Sequence, residues 1–314
     1  VSGVAIWAEV DGATGVPRTH ACVVTIGNFD GVHRGHRLVL EHTREDAHRR
    51  GIATVAVTFH PHPLEVIAPA HAPKRLTSIE RRIELLREAG ADEVYVLDFD
   101  REMASWSPEE FVTRVVVDQL HAANVVVGDN FRFGHKAQGD VAYLREAGER
   151  LGFAVDDRSL LGDGEAFSST RVRELVAERR LDEAAEVLGR PVEVTGTIVG
   201  GDRRGRELGF PTANVPVDEA YAVPPDGVYA GWLVRASGER LPAAISVGSN
   251  PTFDGTERRV ESYVLDRDDL DLYGEHVRVE LVAPVREMER FDGVEALVAR
   301  MHDDVARTRA LLAL

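Results

Sequence analysis

The chain has 314 residues, 53 of them acidic and 37 basic, with a formal net charge of −16 and 44% hydrophobic residues. That length allows two domains of ordinary size, and that charge argues against broad electrostatic binding to nucleic acid or to an anionic membrane. The single cysteine, Cys22, excludes an internal disulfide and fits a reducing cytoplasm; with Glu9, Asp11 and Arg18 early and no 18-residue apolar run, neither a signal peptide nor a membrane span is expected.

The first half alternates short apolar runs with amphipathic stretches. Strands are expected at Val23 to Ile26, Thr54 to Phe59, Glu93 to Leu97, Asn124 to Val127 and Phe153 to Val155. Helices are expected from about Gly35 to Arg50, Ser78 to Ala89 and Ser107 to Leu120, with two more near Ser169 to Glu178 and Leu181 to Leu188. Strand and helix in alternation imply a parallel sheet covered on both faces.

After Gly189-Arg190-Pro191 the pattern changes to short alternating strands separated by Gly, Pro and Asp. These are Val192 to Val199, Val228 to Arg235, Ala243 to Val247, Arg259 to Leu265 and Val277 to Val282. An antiparallel barrel or sandwich fits them, closed by a helix from about Gly293 to Leu312. The domain boundary is therefore expected near residue 189.

Two segments of the first half suit an anion. In "IGNFDGVHRGH", residues 26 to 36, a strand crosses to a helix N-terminus, where free N–H groups and the helix dipole favour phosphate. The turn lacks the GK[ST] of a P-loop and the GxGxxG of a dinucleotide turn. It carries His33 and His36 around a small Gly35, and two imidazoles there suit phosphate oxygens that gain charge in a transition state. The bland alternative is a polar turn with solvated histidines. In "SSTRVREL", Ser168, Ser169 and Thr170 precede Arg171 and Arg173 at a helix start. The hydroxyls alone are adequate N-caps, but arginines in a first turn oppose the helix dipole, which favours an anionic ligand.

The HxGH and SSTxxR segments resemble the nucleotidyltransferase superfamily of adenylyl-transferring α/β domains. "GDNFRFG", Gly128 to Gly134, and "TFHPHP", Thr58 to Pro63, look like further segments of bacterial FAD synthetases. In the second half "RGRELGFPTAN", Arg204 to Asn214, closely matches riboflavin kinases, and "NPTF", Asn250 to Phe253, and "PPDGVYAGW", Pro224 to Trp232, are similar to that family. Thr212 and Asn214 lie two apart, so a strand would put both on one face, where neutral oxygens suit Mg²⁺; for this triplet alone a turn with an edge strand is the better reading. Glu261, in an alternating strand, shares a face with Arg259 and Tyr263. From about Ala21 to the C-terminus the chain resembles the bifunctional riboflavin kinase/FMN adenylyltransferases. Ala166 and Phe167 stand where that family often has a basic residue and an aliphatic, and His60 where an acidic residue is common.

The resemblance implies a Rossmann-like α/β nucleotidyltransferase domain, residues 1–188, and an antiparallel β-barrel kinase domain with a terminal helix, residues 189–314. It implies ATP, riboflavin and FMN as substrates, FAD as product, Mg²⁺ as the cofactor, and no nucleic-acid or membrane partner. For adenylyl transfer it implies Gly27, Asn28, Phe29, Asp30, Gly35, Asn130, Ser168, Ser169, Thr170 and Arg173 around ATP, His33 and His36 as catalytic groups, and His62 and Pro63 at the flavin. For the kinase it implies Gly205, Arg206, Gly209, Phe210, Pro211 and Asn250 around ATP and flavin, Thr212 and Asn214 on the metal, and Glu261 as base. Two rival readings are an enzyme with one activity and a non-catalytic flavin or nucleotide carrier. His60 and His62 lack the further Cys or His that a zinc site needs, and Asp266 to Gly274 lacks the glycine of a calcium loop.

Overall fold

In the first half, five strands run parallel in one sheet: β1 (Cys22–Ile26), β2 (Ala53–His60), β3 (Glu93–Asp98), β4 (Ala122–Gly128) and β5 (Ala154–Arg158). The computed structural model describes residues 20–158, 167–200, 208–252, 255–267 and 269–314, with backbone alone at 249–252 and 255–257. Every residue of β1 is buried, as its unbroken apolar run requires for a strand covered on both faces. The strand order is β3-β2-β1-β4-β5. Connections after β1 therefore run outward on both sides of it, which leaves a crevice at the C-terminal ends of β1 and β4. Ligands of doubly wound sheets bind at such a switch point.

The helices of this half are α1 (Arg34–Arg50), α2 (Pro63–Ile67), α3 (Ile79–Glu88), α4 (Pro108–Phe111) and α5 (Val141–Leu151). The helix expected over Ser107 to Leu120 begins as α4, with Ser107 and Glu110 in a capping box, and continues as a π-helix over Val112–Gln119. Its valines at 112, 115 and 116 are buried. The strand expected at Phe153 to Val155 is shifted, running Ala154–Arg158.

The second half forms a six-stranded antiparallel sheet in the order β6-β11-β8-β9-β10-β7. Its strands are β6 (Val192–Thr197), β7 (Ala213–Val217), β8 (Gly227–Val234), β9 (Arg240–Thr252), β10 (Gly255–Val264) and β11 (His276–Glu287). A bridge from Val199 N–H to the Asn214 carbonyl, 2.9 Å, nearly closes it into a barrel. The terminal helix α8 (Val294–Leu312) packs outside β8, β9 and β11. Inside lie Val215, Tyr229, Leu233, Ile245, Val247, Val260, Val279 and Leu281. Strand β7 is the one barrel strand missing from the pattern-based list. Pro216 interrupts its alternation, and proline is tolerated because β7 is at the sheet edge.

Helices α6 (Ser169–Ala177) and α7 (Leu181–Leu188) precede the change of pattern at Gly189 yet share the core of the barrel. The second compact unit accordingly comprises Lys74–Ser78 and Ser169–Leu314, and the first the remaining residues up to Ser168. Val172, Leu175, Val176, Leu181 and Leu188 are each at most 4% exposed. A buried Val or Leu stabilises by roughly 1.5–3 kcal/mol, so these side chains together match the whole stability of an ordinary domain, about 5–15 kcal/mol. A fragment starting at Arg190 is therefore expected to be unfolded by circular dichroism, and one starting at Ser169 folded. A cooperative melt of the shorter fragment would contradict this.

Candidate active sites

In the first unit the chain leaves β1 at Ile26 and makes a tight, strained turn. Phe29 and Val32 have φ of +48° and +39°, and Gly31 has +81°. Left-handed backbone is unusual for a phenylalanine and more so for a β-branched valine, and costs on the order of 1–3 kcal/mol per residue. Burial holds it: Phe29 and Val32 are 3% and 0% exposed against Leu40, Ala56 and Leu85. The Thr58 hydroxyl donates to the Asn28 carbonyl at 2.9 Å, which anchors the turn to the end of β2.

His33 is the N-cap of α1, its Nδ1 accepting the His36 N–H at 3.4 Å. An accepting Nδ1 leaves the ring proton of neutral His33 on Nε2. The His36 ring stacks on His33 with centroids 3.5 Å apart and meets the edge of Phe29 at 5.1 Å. Burial, with the nearby His33 and Arg82, holds His36 well below the ordinary imidazole value of 6.5, so it is neutral at pH 7. Its Nδ1 is buried without a hydrogen-bond partner among the described residues. A Cβ on Gly35 would come within 3.1 Å of Phe167 Cβ, so glycine lets the segment before Ser168 reach the mouth of α1. The Arg34 guanidinium lies over the Phe167 ring, 5.2 Å from its centroid.

The turn thus brings Gly27, Asn28, Phe29, Asp30, His33, Gly35 and His36 together at the switch point. Asn130 follows the neighbouring strand β4 and is exposed. His62 and Pro63 follow β2; His62 caps α2, accepting the Leu64 N–H at 3.2 Å, and Pro63 is its first helical residue. Ser168 belongs to the first unit, whereas Ser169, Thr170, Arg171 and Arg173 open α6 in the second. Arg173 Nε donates to the Lys74 carbonyl at 2.5 Å, and Arg171 lies 3.9 Å from Glu174. Sequence reasoning missed Arg82 of α3, which is 2% exposed and reaches the turn at Asp30.

In the second unit the register assembles the site. Asn214 on β7 pairs directly with Glu261 on β10, and Glu261 pairs with Ser246 on β9, which pairs with Val228 on β8. These four residues form one row on the face turned away from the barrel core. The Asn214 amide donates to the Thr212 carbonyl at 3.2 Å and to its hydroxyl at 3.4 Å. Thr212, Asn214 and Glu261 are therefore neighbours, and Glu261 is half-buried. Gly209, at φ +83°, turns the chain into Phe210, whose buried ring packs on Tyr263 at 5.0 Å and His302 at 5.1 Å. Gly205 and Arg206 lie outside the described residues, and Asn250 is described in backbone only, paired with Glu257.

Helix α8 brings His302 to this wall, and a buried ion pair holds the helix. Arg286 Nε and Nη2 donate to Asp304 at 2.9 and 2.8 Å, with side chains 8% and 6% exposed. Removing one partner of a buried pair strands the other charge, at about 3–5 kcal/mol. Asp304→Ala is expected to lower stability in urea by that order, and Arg286→Met with Asp304→Leu to recover most of it. Equal losses in the single and double variants would show that the pair matters only through its packing.

A family model for FAD synthetase matches residues 16–171, and one for riboflavin kinase matches residues 188–312. The bifunctional riboflavin kinase/FMN adenylyltransferase of Escherichia coli K12 is 37% identical over 294 residues, covering 93% of each chain. The chain belongs to the bifunctional riboflavin kinase/FMN adenylyltransferase family. The enzyme of that name from Pseudomonas fluorescens is 39% identical over 299 residues, 95% of each chain. The crystal structure of a macrolide-efflux protein from Streptococcus pneumoniae superposes with a TM-score of 0.84 at 30% identity, covering 94% of this chain and 96% of that one. Among the described residues no helix is long and apolar enough to cross a membrane. Membership of this family makes the chain an ATP-dependent transferase of flavin cofactor synthesis, with riboflavin and FMN as acceptors and FAD as final product.

Proposed function

We infer that the two reactions divide between the two sites, with adenylyl transfer in residues 1–188 and riboflavin phosphorylation in residues 189–314. The observation that carries this reading is the pairing of Glu261 with Asn214, beside Thr212, on one face of the barrel. A carboxylate next to neutral oxygens suits transfer to a neutral hydroxyl. The ribityl hydroxyl of riboflavin attacks the γ-phosphorus of ATP, Glu261 takes its proton, and ADP leaves. The donor chemistry of Thr212 and Asn214 fits Mg²⁺, which keeps most of its ligands from phosphate and water. When bound there it would neutralise phosphate charge. Gly209, Phe210 and Pro211, with Gly205, Arg206 and Asn250, are assigned to ATP and flavin.

The FMN phosphate is already an anion, so the second reaction needs no base. One of its oxygens attacks the α-phosphorus of a second ATP, the bond to the β-phosphoryl oxygen breaks, and pyrophosphate leaves. Positioning and charge stabilisation carry such a step. His33 offers Nε2–H, His36 a buried ring nitrogen, and the turn its N–H groups at the start of α1. Asn130 and Ser168 are assigned to the same nucleotide, and His62 and Pro63 to the flavin. The cytoplasm is the compartment that fits a single buried thiol.

Incubation with riboflavin, ATP and Mg²⁺, followed by chromatography, is expected to show FMN first and FAD after it. FMN without FAD, or ATP hydrolysis with no flavin product, would defeat the two-site reading.

A further inference from the structure

Helix α3 buries two arginines, Arg81, which pairs with Glu84 and Glu88 of the same helix, and Arg82. Ile79, Ile83 and Leu86 mark its apolar stripe at helical spacing, and Arg82 stands within that stripe. The side chain does not escape to water; it is 2% exposed. Its Nη2 lies 3.6 Å from Asp30 Oδ1, and its Nη1 donates to the Thr58 hydroxyl at 3.3 Å and the Phe59 carbonyl at 3.2 Å. Because Thr58 in turn donates to the Asn28 carbonyl, one guanidinium grips both ends of the Asn28–Asp30 segment. Phe29 between them is a residue in left-handed backbone.

Packing alone does not account for this arrangement. A buried ion pair is often no more stabilising than apolar side chains of the same volume, and α3 is otherwise amphipathic. The planar fork does what no apolar residue can, which is to bind several acceptors in a fixed plane. We propose that Arg82 is a positioning residue for adenylyl transfer, fixing the Asn28–Asp30 turn so that its N–H groups and His36 meet the phosphates of ATP. This rests on the assignment of that reaction to the turn. Arg82 acts there in a second way. The charged and titratable groups around His36 are His33 of the turn and Arg82 of α3, with Asp30 paired to Arg82. The guanidinium thus opposes protonation of His36 until a polyanion arrives.

Two variants of the full chain separate geometry from charge, with riboflavin phosphorylation as the internal measure of folding. Arg82→Lys keeps the charge and loses the fork. It is expected to lower kcat for FMN to FAD by roughly tenfold or more, since small misplacements are costly, with the pH profile unmoved. Arg82→Met loses both. It is expected to lower kcat by roughly 10²-fold and to move the alkaline limb of the pH profile to higher pH, because His36, which takes a proton as the polyanion binds, then holds it more readily. Parental kcat in Arg82→Lys, or equal losses in both variants with no movement of the alkaline limb, would overturn the proposal. If Arg82→Met fails to fold, losing both activities, the kcat of Arg82→Lys alone decides. His36→Ala run alongside keeps the two ideas apart: an unchanged FAD rate there removes the site, while a loss there with parental Arg82 variants removes only Arg82.

Discussion

Glu261→Gln is expected to lower FMN formation from riboflavin by roughly 10²–10⁴-fold, about 3–5 kcal/mol in the barrier. The substitution keeps side-chain size and most hydrogen bonding but has no basic carboxylate. Register makes the test specific: Glu261 sits between Ser246 and Asn214 in one row across β9, β10 and β7, so glutamine occupies the same place. Supplied FMN should still become FAD at near the parental rate, because that reaction begins from an anion and runs in the other unit. Loss confined to kcat, with KM for riboflavin little changed, would mark a group that acts on the reacting hydroxyl rather than on binding. Retained kinase activity would make Glu261 a strand-surface charge. Loss of both activities would point to misfolding instead.

Much of this architecture was legible in the sequence because burial leaves a period. The apolar, β-branched run Cys22 to Ile26 reads as a buried strand, and the alternation in 259–265 gave β10. The pairing of Asn214 with Glu261 was not legible. Nearly fifty positions separate them, and β7 and β10 pair across that distance with no local turn to set their register. Amphipathicity likewise told that α6 and α7 bury one face but not against what; the barrel core supplies the partner. Arg82 was hidden for a related reason. Beside Glu80, Arg81 and Glu84 it passes for one more charge of a polar helix, and only the fold reveals that α3 aims it at Asp30. His302 carries no signal of its own, since its place depends on the Arg286–Asp304 pair that docks α8.

His36→Ala should reduce FAD formation from FMN by roughly 10²–10³-fold, about 3–4 kcal/mol, the usual effect of losing one preorganised donor. Riboflavin phosphorylation should continue. The same variant should also change how stability depends on pH. In the folded protein burial, with His33 and Arg82, keeps His36 from taking a proton at pH values where the unfolded chain's imidazole, near 6.5, already binds one. Neutral His36 therefore contributes stability that is complete above that value and is lost as pH falls below it, because the unfolded state then binds more protons. Between pH 7.5 and pH 5.5 the parental protein should lose more stability in urea than His36→Ala does. Triphosphate binding works in the opposite sense, since an anion beside Nδ1 favours the imidazolium. Calorimetry of ATP binding near pH 7 in buffers of different ionisation enthalpy should therefore report proton uptake by the parental protein and less by His36→Ala. Equal uptake in the two proteins, together with an unchanged rate of FAD formation, would remove His36 from the phosphate site and leave its stacking on His33 as packing.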